Sequence, residues 1–174
     1  MQEKKNRLKQ GFFILALTLS AGCSSKPYKV VLNNNVVYSP NPALLNQTVS
    51  DPALQGCLNQ VLASMENGSV ETIKLLACPD AGIKSLDGIA ALAALEQLEL
   101  SNNSIDNLGA LQPLRNLRVL SLRNNRIMNI GPIQGLPLLR FVALEGNDRI
   151  PCRQLDELGE KLGATLSRPA SCTR

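Results

Sequence analysis

Residues 95–103 read LEQLELSNN, and 22 positions later residues 117–125 read LRVLSLRNN. Laid out on that 22-residue period, whole columns of the chain agree. Ile73, Leu95, Leu117 and Leu139 form one column, Leu76, Leu98, Leu120 and Val142 a second, and Cys78, Leu100, Leu122 and Leu144 a third. Asn103, Asn125 and Asn147 share a further column, in which the first copy has Ala81. Behind them Ile83, Ile105 and Ile127 align, followed by the sets Leu86, Leu108, Ile130; Ile89, Leu111, Ile133; and Leu92, Leu114, Leu136. A unit this short cannot bury its own leucines. Successive units must therefore stack and share one core.

The letters within each unit say how. Around each L-x-L a short strand sends alternate side chains inward, and stacking such strands makes a parallel sheet. The Asn of each unit turns the chain, and its buried amide can satisfy backbone groups that would be costly to bury unpaired. Asn103, Asn125 and Asn147 are therefore read as a structural ladder, with Ala81 marking an atypical first coil. Gly and Pro in GALQPL, GPIQGLPLL and DGIAAL predict single turns, not long helices, on the outer side. This pattern resembles the leucine-rich repeat, L-x-x-L-x-L-x-x-N-x-L, in the 22-residue form of internalins and related bacterial proteins. The resemblance implies an α/β solenoid, a short leucine-rich repeat with its parallel sheet on the concave face and four copies across residues 73–150.

A stack of repeats needs lids, and both flanks supply helical caps. In residues 51–72, Asp51 reads as an N-cap and Pro52 as the first helical residue, ahead of an apolar stripe of Leu54, Cys57, Leu58, Val61 and Leu62. In residues 151–174, Cys152, Leu155, Leu158 and Leu162 fall on one helical face. Four cysteines lie in or beside these caps and allow three pairings. Because Cys57 is on the first helix and Cys78 on the adjoining strand, while Cys152 opens the second helix and Cys172 is near its end, the expected bonds are Cys57 with Cys78 and Cys152 with Cys172. With no His in the chain and no close C-x-x-C pair, a zinc site is the weaker reading.

The N-terminal residues read as an export signal. MQEKKNRLKQ is a basic region and GFFILALTLSAG an apolar run too short to span a bilayer. The run ends in LSAGCSS, which resembles the bacterial lipoprotein signal. That resemblance implies removal of residues 1–22 and acylation of Cys23, and Ser24 in place of a retention Asp points to the outer membrane of a Gram-negative cell, facing the periplasm; the alternative is the cell surface. Residues 23–50, rich in Asn and Ser and broken by prolines, read as a tether. YKVVLNNNVVY within it could close as a hairpin.

The formal charge of +4 falls to +1 once Glu3, Lys4, Lys5, Arg7 and Lys9 are set aside, which gives no electrostatic ground for a nucleic-acid partner. Absence of His removes the commonest general base. No phosphate loop, nucleotide fingerprint or G-x-S-x-G is present, so no catalytic residue, metal or cofactor is expected. Glu96 with Glu99, and Asp156 with Glu157, read as solvated surface carboxylates. Binding is the expected activity. Residues alternating with the core leucines face the concave side, and they place Leu75, Val119 and Phe141 in one column with Arg118, Arg123 and Arg140 around it. Aromatic and Arg side chains are favoured interface anchors, so these six form the candidate surface for a protein or peptide. The function expected is a membrane-anchored interaction module of the bacterial envelope; the alternative invited by the internalin resemblance is a surface adhesin.

Overall fold

A computed structural model of the chain describes residues 30–32, 35–38, 48–65 and 68–172. The expected signal segment, Cys23 and most of the expected tether lie outside the described residues. Within the tether, β1 (Val30–Leu32) and β2 (Asn35–Tyr38) pair antiparallel, with Leu32 opposite Asn35.

The body opens with α1 (Pro52–Ser64), whose Leu54, Leu58 and Leu62 are fully buried against the first coil. Next come β3 (Leu75–Ala77), β4 (Gln97–Glu99), β5 (Val119–Ser121), the one-turn helix α2 (Gly131–Gln134), and β6 (Phe141–Ala143). Then α3 (Cys152–Leu162) buries Leu155 and Leu158, and the chain returns as β7 (Leu166–Ser167). β3 to β7 form one parallel five-stranded sheet in chain order. From β3 to β6 the register repeats: Leu76 pairs with Leu98, Leu98 with Leu120, and Leu120 with Val142. Three-residue strands suffice because the backbones of β4, β5 and β6 bond the coil on either side, and one side chain per strand enters the core. Opposite the sheet, Ile89–Ala91 and Gly109–Leu111 make single 3-10 turns, as the Gly and Pro spacing requires.

Every repeat column of leucine and isoleucine is inside. Ile83, Ile105 and Ile127 are fully buried, as are Leu95, Leu117, Leu100 and Leu122. At roughly 2 kcal/mol for each aliphatic side chain removed from water, this shared core is the main stabilising term. The asparagines complete it. Asn125 donates through Nδ2 to the carbonyls of Leu100 at 2.9 Å, Leu122 at 3.0 Å and Arg123 at 3.1 Å, and its Oδ1 accepts from the Ile105 N–H at 3.0 Å. Asn103 and Asn147 repeat these bonds one coil away, to Cys78 and Ile83 and to Leu122 and Ile127. One side chain thus stitches two coils.

The first coil is closed by a different group. Asp51 caps α1 through Oδ1, which accepts from Ala53 and Leu54, while its Oδ2 accepts from the N–H groups of Lys84 and Ser85. Disulfides fasten both ends, Cys57 to Cys78 and Cys152 to Cys172, with Cα atoms 6.0 Å and 5.4 Å apart. The packed body begins before Asp51. Val49 lies in the core, Gln55 Oε1 accepts from the N–H groups of Thr48 and Val49, and a Cβ on Gly88 (φ +92°) would meet Thr48 O at 2.4 Å. The segment read as tether through residue 50 therefore ends earlier, because an apolar residue at 49 can fill the gap beside α1.

Candidate functional site

The concave surface follows from strand alternation. In register across β3 to β6 stand Leu75, Gln97, Val119 and Phe141, and two residues further along Ala77, Glu99, Ser121 and Ala143. Leu75 is 55% exposed, whereas Val119 and Phe141 are half-buried and Ala143 is buried. Leu75, Ala77, Gln97, Glu99, Val119 and Ser121 line a shallow depression of about 200 Å³. Phe141 lies one strand beyond it. The apolar column is thus divided, with Leu75 and Val119 sharing a hollow across Gln97 and Phe141 beside Val119 on the next strand.

At the N-terminal ends of the same strands a charged row crosses the repeats. Glu96 binds Lys74 through Oε1 at 3.2 Å and Arg118 through Oε2 at 3.5 Å. Arg140 follows on the next strand, its N–H bonded to the Arg118 carbonyl at 2.8 Å. Among the described residues no carboxylate comes within ion-pair distance of the Arg140 guanidinium. At the other ends of the strands Arg123 is held by Glu145 at 3.1 Å. Of the three arginines named from the sequence, Arg118 and Arg123 are therefore ion-paired, and among the described residues the Arg140 guanidinium is not.

Glu99 sits between these rows. Burial alone would raise its pKa, but the Ser101 and Ser121 hydroxyls, the Ser101 N–H at 2.7 Å and the charge of Arg123 outweigh this and hold the carboxyl below the usual range. It is a fixed acceptor. Ser101 and Ser121 hydroxyls lie 2.9 Å apart, with the ionised Glu99 as their common partner. A carboxylate held low in pKa is a poor general base for activating them. Among the described residues there is no cluster of three or more His, Cys, Asp or Glu that could hold a metal. The arrangement can bind through hydrogen bonds, charge and apolar contact.

The structure corrects the reading of Glu96 and Glu99 as solvated carboxylates. Each is half-buried and tied to neighbouring strands. The signal was present in the aligned columns, since Glu96 falls between Lys74 and Arg118 and Glu99 beside Ser121. A second missed column is Asp80, Asn102, Asn124 and Gly146, which share positive φ of 54°, 58°, 52° and 76°. Asn124 Nδ2 donates to Asn102 Oδ1 at 2.7 Å, and Asn102 Nδ2 to Asp80 Oδ2 at 3.4 Å, forming an exposed ladder beside the buried one. Residue choice was the clue, because Asp, Asn and Gly are the types that tolerate this backbone.

Comparison with known proteins agrees with this geometry. The family described as leucine-rich repeats (two copies) matches residues 115–160. Among solved structures, an internalin (inlF) from Listeria monocytogenes is 28% identical over 75% of this chain, with a TM-score of 0.63. Internalin C2 from the same organism is 25% identical over 58% of the chain, with a TM-score of 0.53. The chain spans 40% and 47% of the lengths of those two proteins. No curated protein matches it.

Proposed function

We propose, from the premise that this chain is a leucine-rich repeat protein of internalin-like fold, that it is a lipid-anchored module holding another protein of the bacterial envelope against its concave sheet. The observation that carries the reading is the in-register column of Leu75, Val119 and Phe141 on the outward face of the parallel sheet. Half-buried apolar groups flanked by charge are the anatomy of a protein-binding patch. No arrangement suited to catalysis competes with it among the described residues. The anchor rests on the lipoprotein-like LSAGCSS, which would acylate Cys23 and leave the domain facing the periplasm from the outer membrane. The likeness to internalins favours a second reading, a surface-displayed adhesin, and protease access on intact cells separates the two.

The test is in-cell photocrosslinking from position 141, with position 123 as a second probe and the exposed position 106 as control. Adducts at 141 and 123 but not at 106 are expected. Equal labelling at all three, or none, overturns the concave face as the binding surface. Cys23→Ala, followed by membrane fractionation, is expected to release the domain from the membrane.

A further inference from the structure

The charged row of the sheet carries an imbalance that its own neighbours leave uncorrected. Arg118 and Arg140 occupy equivalent positions at the starts of adjacent strands, about 5 Å apart at the backbone, where the Arg140 N–H donates to the Arg118 carbonyl. Like charges placed directly across a strand pair destabilise it. Glu96 lies on the far side of Arg118 and is shared with Lys74, so one carboxylate serves two cations, and among the described residues none reaches Arg140. This excess borders the apolar pair Val119 and Phe141.

Resting on the concave-face reading above, we infer that the partner presents an extended segment that combines acidic and apolar residues. Its carboxylate seats between the Arg118 and Arg140 guanidiniums while its apolar side chains cover Val119 and Phe141. A guanidinium receives a carboxylate in a two-point fork, which fixes the register of the segment as well as its charge. Binding relieves the Arg118–Arg140 repulsion, so the free protein is poised for an anion there. An anionic bilayer would also supply negative charge. It is the poorer fit, because a flat lipid surface cannot follow a concave sheet to half-buried Val119 and Phe141, whereas an extended chain can.

The test uses the full chain purified in detergent and a random twelve-residue phage-displayed peptide library, selected in parallel on the native protein and on Arg140→Glu. Arg140 is exposed, and melting curves check that the variant remains folded. Native protein is expected to enrich peptides with Asp or Glu next to apolar residues, and a synthetic copy of the best one should bind Arg140→Glu about tenfold more weakly. Selection on Arg140→Glu should shift toward Lys or Arg. The inference is overturned if the two selections agree, if enriched peptides show no acidic bias, or if none are enriched. It is equally overturned if anionic phosphatidylglycerol vesicles, and not peptides, bind in an Arg140-dependent manner. Photocrosslinking at 141 reports separately: an adduct whose attached segment lacks acidic residues retires the charge rule and leaves the concave face standing as the binding surface.

Discussion

The Oδ2 atom of Asp51 accepts the backbone N–H of Lys84 at 2.9 Å, joining the cap helix to the first coil across 33 residues. The same carboxylate takes three more N–H groups, from Ser85, Ala53 and Leu54. It acts as helix cap and solenoid seal at once. Asp51→Ala should therefore cost more than an ordinary cap, about 2 to 4 kcal/mol, read as a lower urea midpoint with unchanged slope. A loss under 1 kcal/mol would mean that water or a neighbour replaces it.

Asp51 also predicts a pH dependence. Burial raises its pKa, but the four N–H donors prevail and hold it below the usual value of 3.8. The unfolded chain then binds the proton more readily than the folded one. The stabilisation is full above the unfolded value and is lost as pH falls from there through the folded value. Denaturation midpoints measured from pH 6 down should fall below about pH 4, and Asp51→Asn should flatten part of that fall. Parallel curves for both proteins would remove Asp51 as the source.

Replacing Asn125 by Ala leaves the Ile105 N–H without its acceptor, while the Leu100 and Leu122 carbonyls each lose one of two amide donors and keep the other, from Asn103 and Asn147. The expected cost is about 1 to 3 kcal/mol. Asn102→Gly should change stability little, because the ease with which Gly adopts a φ of 58° offsets the two exposed side-chain bonds, to Asp80 and Asn124, that the substitution removes. Gly146→Ala should be destabilising, since its Cβ would lie 2.1 Å from Asn124 Oδ1 at a φ of +76°. Equal melting temperatures for the Asn102→Gly and Gly146→Ala proteins would contradict the shared backbone column.

Two leucines one strand apart should behave oppositely. Leu98 is 1% exposed, and Leu98→Ala should cost about 2 to 5 kcal/mol. Leu75 is 55% exposed, so Leu75→Ser should change stability by no more than about 0.5 kcal/mol while weakening the crosslink from position 141. A large stability loss in Leu75→Ser would mean that Leu75 is a packing residue.

The period made the core legible, because burying a stacked unit requires the same residue type at the same place in each copy. Leu98, Leu120 and the asparagine ladder all stand in columns of the aligned sequence. The cap cysteines were legible from their places on helix and strand. β7 was not. Its Leu166 pairs with Val142 at a spacing two residues longer than the repeat, since α3 intervenes, so aligning the chain on the period misses the strand. The ion pairs of Glu96 were also hidden, because which side a long charged side chain turns to is decided by neighbours on both strands.

Both disulfides and both large helices belong to the ends of the stack, while the interior coils hold to one another through identical ladders and one register. The middle of this protein is consequently a removable and duplicable cassette. A tandem copy of the stretch from Leu98 to Val119 would begin at Leu98 and hand on to Leu120, its register equivalent, ask nothing new of either terminus, and lengthen the sheet by one strand, about 4.8 Å. Its reach can thus be changed by recombination within the gene, with no redesign of how the chain starts or stops folding.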